Sequence, residues 1–385
     1  MMELYLLVVL GAIAVMSVIT LVNVLTVRSL TPSEHPWDRP LVSVLIPARN
    51  EERSIGIALS TLAEQDYGNF EVVILDDNSD DATVAIASQW ITRDRRFRII
   101  KGSPLPEGWV GKSFACHQLF REARGRLLLF VDADTVHARH SLSAGVAELQ
   151  RSGADLLTAI PRQRTETFWE HTLLPLLHFM TFAFLPMPLV SLVRDERLAM
   201  ANGQYMLWKR EAYQAVGGHE AVKAAMVEDV WLARRVKETG RRLAIRYGAT
   251  AVSCRMYSSF ADIWNGFSKN IFPGLGCSVP AMAAVMLFSF ATSVLPFLMM
   301  IDVAATGGWT SIAAEIVAAQ VALVLLIRFV LAIRFDMEIW SALFHPLAMA
   351  VLIGIMANST RWVLAGEGPR WKGRVYNIRN LLVTR

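Results

Sequence analysis

The sequence predicts an α/β fold with a mostly parallel sheet, joined to apolar helices at both ends of the chain. Three observations predict it. Short apolar runs alternate with segments of helical period between residues 40 and 278. The polar clusters of that region follow the ends of apolar runs, where a parallel sheet gathers its loops and ligands. The hydrophobic residues, 54% of 385, are concentrated near the two ends, while 19% of the chain is charged. That combination suits one globular domain plus membrane segments.

The first element, Leu4 to Val27, is a nearly unbroken apolar run interrupted only by Ser17, Thr20, Asn23 and Thr26. It is long enough to cross a hydrocarbon core of about 30 Å, so residues 1–28 are expected to be a transmembrane anchor. A cleaved signal peptide fits poorly: Glu3 rather than a basic cluster precedes the run, and no small-x-small site follows. Arg28 and Arg39 lie just beyond it. By the positive-inside rule the N-terminus faces out and the next domain is cytoplasmic.

Leu41 to Ile46 then reads as a strand ending at Pro47, and Arg53 to Gln65 as a helix. Glu71 to Leu75 is a second strand, followed by the turn-rich Asp76-Asp77-Asn78-Ser79-Asp80-Asp81 and a helix from Ala82 to Ile91. Phe97 to Lys101 is a strand, Ser113 to Ala123 a helix, and Leu127 to Val131 an apolar strand ending in Asp132-Ala133-Asp134. Leu173 to Val193 is apolar but broken by Pro175, Pro186 and Pro188 and interrupted by His178. Residues 171–193 are read as an interfacial helix within a 40–278 domain, with a crossing or a buried core helix as the other reading.

Apolar stretches at 279–301, 311–333 and 341–364 follow, giving a C-terminal membrane region over 279–364 and a basic tail over 365–385. Their charges disagree with their number. The link Asp302 to Thr310 has no Lys or Arg and should face out; Arg334 to Trp340 should face in. Arg361, Arg370, Lys372, Arg374, Arg379 and Arg385 argue for a cytoplasmic end, whereas three crossings would leave that end outside. A re-entrant or interfacial third stretch is the alternative.

The net charge is +4, and no long basic run interleaved with aromatics occurs, which argues against nucleic acid as a partner. Cys116, Cys254 and Cys277 are far apart, fit no metal spacing and are odd in number, so buried reduced thiols are expected.

Four groups carry candidate chemistry. Asp132 and Asp134, two residues apart after a strand, can approach one cation, and hard oxygen ligands suit Mg2+ or Mn2+. A surface loop is the plainer reading. In the Asp76–Asp81 cluster, Asp80 or Asp81 is suited to cap the following helix, while Asp76 and Asp77 can accept hydrogen bonds from a nucleobase or ribose. Gly111-Lys112-Ser113 is not a P-loop, because the glycine needed five positions earlier is Pro106. Lys112 remains a point charge for a diphosphate at a helix start. Glu228-Asp229 precedes a helical stretch, where a carboxylate can cap the helix or, as Asp229, serve as a general base.

Ile46-Pro47-Ala48-Arg49-Asn50-Glu51-Glu52, Asp76-Asp77-Asn78-Ser79, Asp132-Ala133-Asp134 and Glu228-Asp229 stand in the order and spacing of the family 2 glycosyltransferases, which the chain resembles over about residues 40–275. Pro104 to Ala115, Ala201-Asn202-Gly203-Gln204, Gly217-Gly218-His219 and Trp371-Lys372-Gly373-Arg374 resemble the ceramide glucosyltransferases and the bacterial hopanoid-associated and carotenoid glycosyltransferases in particular. The resemblance implies a Rossmann-like GT-A domain in the cytoplasm, within a multi-pass protein of the cell membrane. It implies a nucleotide-sugar donor, UDP before GDP, a divalent cation, and a membrane lipid acceptor presented by the bilayer. It places Pro47, Ala48, Asn50, Glu51, Asp76, Asp77, Lys112 and Asp132 at the donor and Asp134 with Asp132 at the metal. Asp229 becomes the base of an inverting single displacement.

The processive members carry a Gln-x-x-Arg-Trp signature that is absent here, where Trp264-Asn265-Gly266-Phe267-Ser268-Lys269-Asn270 stands instead. Non-processive transfer is therefore expected. Glu228, Trp264, Lys269 and Asn270 are expected on the acceptor or leaving-group side, although an interfacial helix with a snorkelling lysine explains the last two equally well. Two other readings stay open: transfer to a polyprenyl phosphate, which is already anionic and needs no base, and a non-catalytic sugar-nucleotide-binding membrane protein.

Overall fold

The computed structural model describes residues 1–32, 38–248, 250–307, 312–366, 370–372 and 374–375. Of the basic tail, Arg379 and Arg385 lie outside the described residues, as does Gly373. The chain forms two compact units. One is α/β and comprises Val27–Arg164, Leu189–Met256 and the described residues from Arg370 onward; the other is helical and comprises Met1–Thr26, Thr165–Pro188 and the described residues from Tyr257 to Gly366. Residues 165–188 and 257–278, expected with the α/β region, thus cluster with the apolar helices.

Among the described residues the α/β unit has twelve strands: β1 Val42–Ala48, β2 Phe70–Asp76, β3 Phe97–Lys101, β4 Leu127–Val131, β5 Thr135–His137, β6 Leu156–Ile160, β7 Arg162–Gln163, β8 Tyr205–Lys209, β9 Leu243–Tyr247, β10 Val252–Cys254 and a separate pair, β11 Arg370–Trp371 and β12 Arg374–Val375. The main sheet has the order β3-β2-β1-β4-β8-β6-β9. All its pairings are parallel except those of β8, which runs against both β4 and β6. The mostly parallel α/β architecture expected from the sequence is the one that forms. Every residue of β4 and β6 is buried, as helices covering both faces of a parallel sheet require. Val44, Ile46, Ile74, Leu129 and Leu157 build this core with Leu59 and Val146 from the covering helices.

Two features of this topology position the site. Strands β2 and β4 flank β1 on opposite sides, so successive connections diverge from β1 and leave a crevice at the carboxyl ends of β1 and β4. Because β8 is antiparallel, with Tyr205 opposite Val131, the loop before β8 arrives at that same edge. After β4 the chain turns at once into a small second sheet, order β5-β10-β7, with Thr135 N–H and Oγ1 both bonded to the Asp132 carbonyl at 3.2 and 2.7 Å. That turn fixes the Asp132-Ala133-Asp134 backbone.

The helical unit contains helices that are long and apolar enough to cross a membrane: Met2–Thr26, Val279–Thr306, Ile312–Arg334 and Ile339–Leu364. The first carries a buried stripe of Leu6, Val9, Ile13, Met16, Thr20 and Asn23, yet Leu4, Leu7, Val15, Val18 and Leu21 on its other side are exposed. A helix apolar all round suits lipid rather than water. Val279–Thr306 is interrupted at Val294, just before Pro296, where the proline nitrogen has no hydrogen to donate.

Residues 171–193, expected as one helix, form short pieces instead, with Phe168–Leu173, Pro175–Phe182 and Met187–Leu192 helical. Leu176, Phe179, Phe182 and Met187 are buried. The break between the last two pieces leaves backbone groups unpaired, and Asn23 supplies their partners. Its Nδ2 donates to the carbonyls of Phe182 and Leu185 at 2.7 and 2.8 Å, and its Oδ1 accepts the Met187 N–H at 2.7 Å. A polar interruption in the first apolar run is therefore a structural clamp.

Candidate active site

The site assembles on the carboxyl edge of the main sheet from four stretches. Lys112 stands in the first turn of the Gly111–Glu122 helix, as expected. Its Nζ lies 2.7 Å from Asp132 Oδ1 and 3.0 Å from Glu228 Oε1. Burial opposes the ammonium charge, but the two carboxylates outweigh it and hold Lys112 well above its usual range. Glu228 and Asp229 open the Glu228–Glu238 helix, as a cap would, yet Glu228 is only 6% exposed and Asp229 is half-buried.

Asp229 is oriented by backbone. Its Oδ2 accepts the Gly203 N–H and its Oδ1 the Val230 N–H, each at 2.8 Å. Burial first, then the charge of Glu228, push its carboxyl up to about 6, against the pull of Lys112 and of the two N–H groups. Gly203 belongs to the loop before β8, which is pinned because Thr158 Oγ1 donates to the Asn202 carbonyl at 3.1 Å and accepts the Asn202 N–H at 2.9 Å. A Cβ on residue 203 would sit 3.1 Å from Lys112 Nζ and 3.4 Å from carboxylate oxygens of Asp229 and Glu228. Glycine here lets three charged side chains converge on a backbone amide. The sequence reading singled out the Ala201–Gln204 stretch without giving Gly203 this part.

Asp134 is half-buried, and its Oδ1, out of reach of solvent, has no hydrogen-bond partner among the described residues. Burial, with the charges of Asp132 and Glu51 added, raises its carboxyl to about 7. An orphaned carboxylate oxygen among other carboxylates is what a hard cation would satisfy. Among the described residues no group of three or more His, Cys, Asp or Glu side chains forms a ready-made cage. Two carboxylates suit Mg2+ or Mn2+, which keep waters and take substrate phosphates as further ligands. The residues present therefore fit such an ion.

The donor-side residues meet around β1 and β2. Pro47 and Ala48 end β1, with Ala48 paired to Asp76 at the end of β2. Asn50 and Asn78 both adopt left-handed backbone (φ 52° and 56°), and their loops interlock: Ser79 Oγ accepts the Asn50 N–H at 3.0 Å, and Asn50 Oδ1 accepts the Asp80 N–H at 2.9 Å. Asp81 Oδ1 accepts the Thr83 N–H at 2.9 Å, but the N-cap of the Thr83–Arg93 helix is Ala82, so neither Asp80 nor Asp81 takes the capping position expected of them. A cavity of about 460 Å³ opens among Asn50, Glu51, Glu52, Arg53, Asp80 and Asp81.

Three residues near this cavity were missed as partners by sequence reasoning. Arg374 forks onto Asp77, with Nη2 to Oδ1 at 2.9 Å and Nη1 to Oδ2. Lys372 Nζ reaches the Glu51 carboxylate, and Arg49 Nε donates to the Lys372 carbonyl at 3.2 Å. The likeness of Trp371-Lys372-Gly373-Arg374 to a family stretch was the available signal, but it gave no partner. Trp264, Lys269 and Asn270, assigned to the acceptor side, lie on the Phe260–Gly274 helix of the helical unit rather than among these α/β residues.

Residues 43–217 match the family described as Glycosyl transferase family 2. The chain carries a family 2 glycosyltransferase domain. The 4,4'-diaponeurosporenoate glycosyltransferase of Staphylococcus aureus strain MRSA252 is 29% identical over 262 residues, spanning 66% of this chain and 68% of that one. The protein of the same description in strain USA300 is 28% identical over the same length. In three dimensions the chain is similar to the mannosyltransferase PcManGT of Pyrobaculum calidifontis, solved with GDP-Man and Mn2+, with a TM-score of 0.53. That likeness covers 93% of this chain and 96% of the other at 17% identity, and it bears on fold alone. The glycosyltransferase thus has the GT-A α/β architecture with apolar helices toward both ends that its sequence led us to expect.

Proposed function

We propose that this glycosyltransferase is an inverting, non-processive enzyme that moves a hexose from a UDP-sugar to a hydroxyl of a membrane lipid, with its α/β unit in the cytoplasm and its apolar helices in the cell membrane. One observation carries the reading: Asp229, with its carboxyl raised to about 6, is held by the Gly203 and Val230 amides beside the Lys112–Asp132–Glu228 cluster. A carboxylate titrating near the working pH is suited to general-base chemistry.

In the proposed reaction Asp229 takes the proton from the acceptor hydroxyl as its oxygen bonds to the anomeric carbon. The bond from that carbon to the donor's diphosphate breaks on the opposite face, so the configuration inverts. Lys112 meets negative charge growing on the departing diphosphate and is kept protonated for it by Asp132 and Glu228. Asp134 and Asp132 would hold a divalent cation, which when bound adds positive charge at the same phosphates. The donor's nucleoside is assigned to Pro47, Ala48, Asn50, Glu51, Asp76 and Asp77. Trp264, Lys269 and Asn270 remain assigned to the acceptor side.

The lipid acceptor is supported by the apolar helices and by relatives named for a carotenoid acceptor, and we favour an isoprenoid lipid on that ground. Extracting lipids from cells with and without the gene and weighing them by mass spectrometry tests it. The expected product is a lipid heavier by one hexose, present only with the gene; a glycan chain or an unchanged lipid profile overturns the reading.

A further inference from the structure

Four of the six residues that line the donor cavity are carboxylates, the other two being Asn50 and the cation Arg53. Glu51, Glu52, Asp80 and Asp81 face it, and Asp76 and Asp77 beside it are only 7% and 6% exposed. A nucleoside diphosphate brings at least two more negative charges, and like charges at close range in a half-buried site repel strongly. Lys112 does not resolve this, because Asp132 and Glu228 already flank its ammonium.

Besides Arg53, two further cations reach the donor-side carboxylates from the far end of the chain. Arg374 makes a two-pronged contact with Asp77, and Lys372 Nζ meets the Glu51 carboxylate and lies 3.2 Å from the Asn50 carbonyl. Arg49 knits the two segments, donating from Nε to the Lys372 carbonyl and from Nη1 to the Asn78 carbonyl at 3.0 Å. Both partners of each ion pair are mostly buried, with side-chain exposures of 18% and 9% for Arg374 and Asp77 and 24% and 21% for Lys372 and Glu51. Such pairs are screened less than surface pairs and hold their geometry better. A forked carboxylate keeps a second lone pair on each oxygen, so Asp77 can accept from a base while Arg374 holds it.

Resting on the nucleotide-donor reading above, we propose that Lys372 and Arg374 are donor-positioning residues. They neutralise Glu51 and Asp77 so that a nucleoside diphosphate can enter, and Arg374 fixes the plane of the Asp77 carboxylate. The α/β segments before residue 257 then make an incomplete donor site by themselves.

The test titrates the full-length protein in detergent with UDP, and with GDP in parallel, in the presence of Mg2+, and follows binding by calorimetry. Arg374→Ala is expected to weaken nucleotide binding about tenfold or more, and Lys372→Ala by less, since a lysine contact is a point charge rather than a fork. In turnover the donor KM should rise by the same factor, with kcat and the acceptor KM nearly unchanged. Arg374→Lys should recover part of the loss, because it restores charge without the fork. If Arg374→Ala loses its thermal transition, Lys372→Ala and Arg374→Lys decide by the same readouts. Unchanged or tighter binding in these variants overturns the proposal and makes the segment a structural tie or an occupant that the donor displaces. A wild-type protein that binds neither nucleotide sinks the donor reading itself, a different result from wild-type binding that the variants leave untouched.

Discussion

The Asp229 carboxylate accepts the backbone N–H of Gly203 at 2.8 Å, so the loop that delivers β8 to the sheet also aims the candidate base. A backbone donor cannot rotate away as a side chain can. Replacing Gly203 by alanine sets a methyl group 3.1 Å from Lys112 Nζ, a separation the tethered ammonium must relieve by moving. Gly203→Ala is expected to lower kcat on the order of tenfold or more while leaving the circular dichroism spectrum intact, because a small displacement of a catalytic group is costly.

Asp229→Asn removes the proton acceptor but keeps the shape. Transfer should fall roughly 10²–10⁴-fold, while UDP binding by calorimetry stays near wild type. Full transfer activity in this variant would exclude Asp229 as base and favour an acceptor that is already anionic.

The pH profile follows from the same carboxyl. Its ionised form is the base and its pKa is about 6, so kcat/KM should fall about tenfold per unit as pH drops below that value. Glu228 raises that pKa by its negative charge and Lys112 lowers it. The acid limb should therefore move to lower pH in Glu228→Gln and to higher pH in Lys112→Met, a pair of opposite shifts that general damage would not produce.

Chelation tests the ion. EDTA should abolish transfer and Mn2+ or Mg2+ restore it, whereas Asp134→Asn should stay inactive at ordinary metal concentrations. A variant that folds and transfers in EDTA would rule out the assignment of Asp134 and Asp132.

Asn23→Ala should destabilise the helical unit without touching the chemistry. The substitution strands one buried and one part-buried carbonyl and one buried N–H, a cost of roughly 2–4 kcal/mol in sum. Thermal unfolding in detergent should begin several degrees lower, with donor KM unchanged.

What the sequence disclosed follows the range of the interactions involved. Strands β1, β2 and β4 were legible to within two residues because burial on both faces makes each a continuous apolar run. Asp132 and Asp134 follow one such strand and Asp229 opens a helix, positions that could be read along the sequence while their roles are proposed above. Strand β8 was not identified, since its antiparallel insertion between β4 and β6 depends on pairings far apart in the chain. The same distance hid Arg374 from Asp77, 297 residues earlier. Residues 171–193 erred in the other direction: Pro175 and Pro186 were visible breakers, but nothing local told that Asn23 would satisfy the broken backbone. Gly217-Gly218-His219, noted for its family likeness, has a structural explanation. Both glycines adopt positive φ (84° and 52°), a Cβ at 218 would strike the Tyr213 ring at 2.6 Å, and His219 Nδ1 meets the Tyr213 hydroxyl at 2.6 Å.

The fork from Arg374 to Asp77 also bears on the parity of the proposed membrane passages. The chain leaves the α/β unit after Met256 and has rejoined it by Arg370. A polypeptide that departs from one face of a bilayer returns to that face only after an even number of passages. Between those points, among the described residues, lie three stretches able to make one: Val279–Thr306, Ile312–Arg334 and Ile339–Leu364. If these helices lie in the membrane as proposed above, two would traverse and one would double back, because Arg374 must reach the aqueous compartment of Asp77. On that proposal the basic residues near Arg374 and the three apolar stretches no longer call for opposite placements of the chain's end.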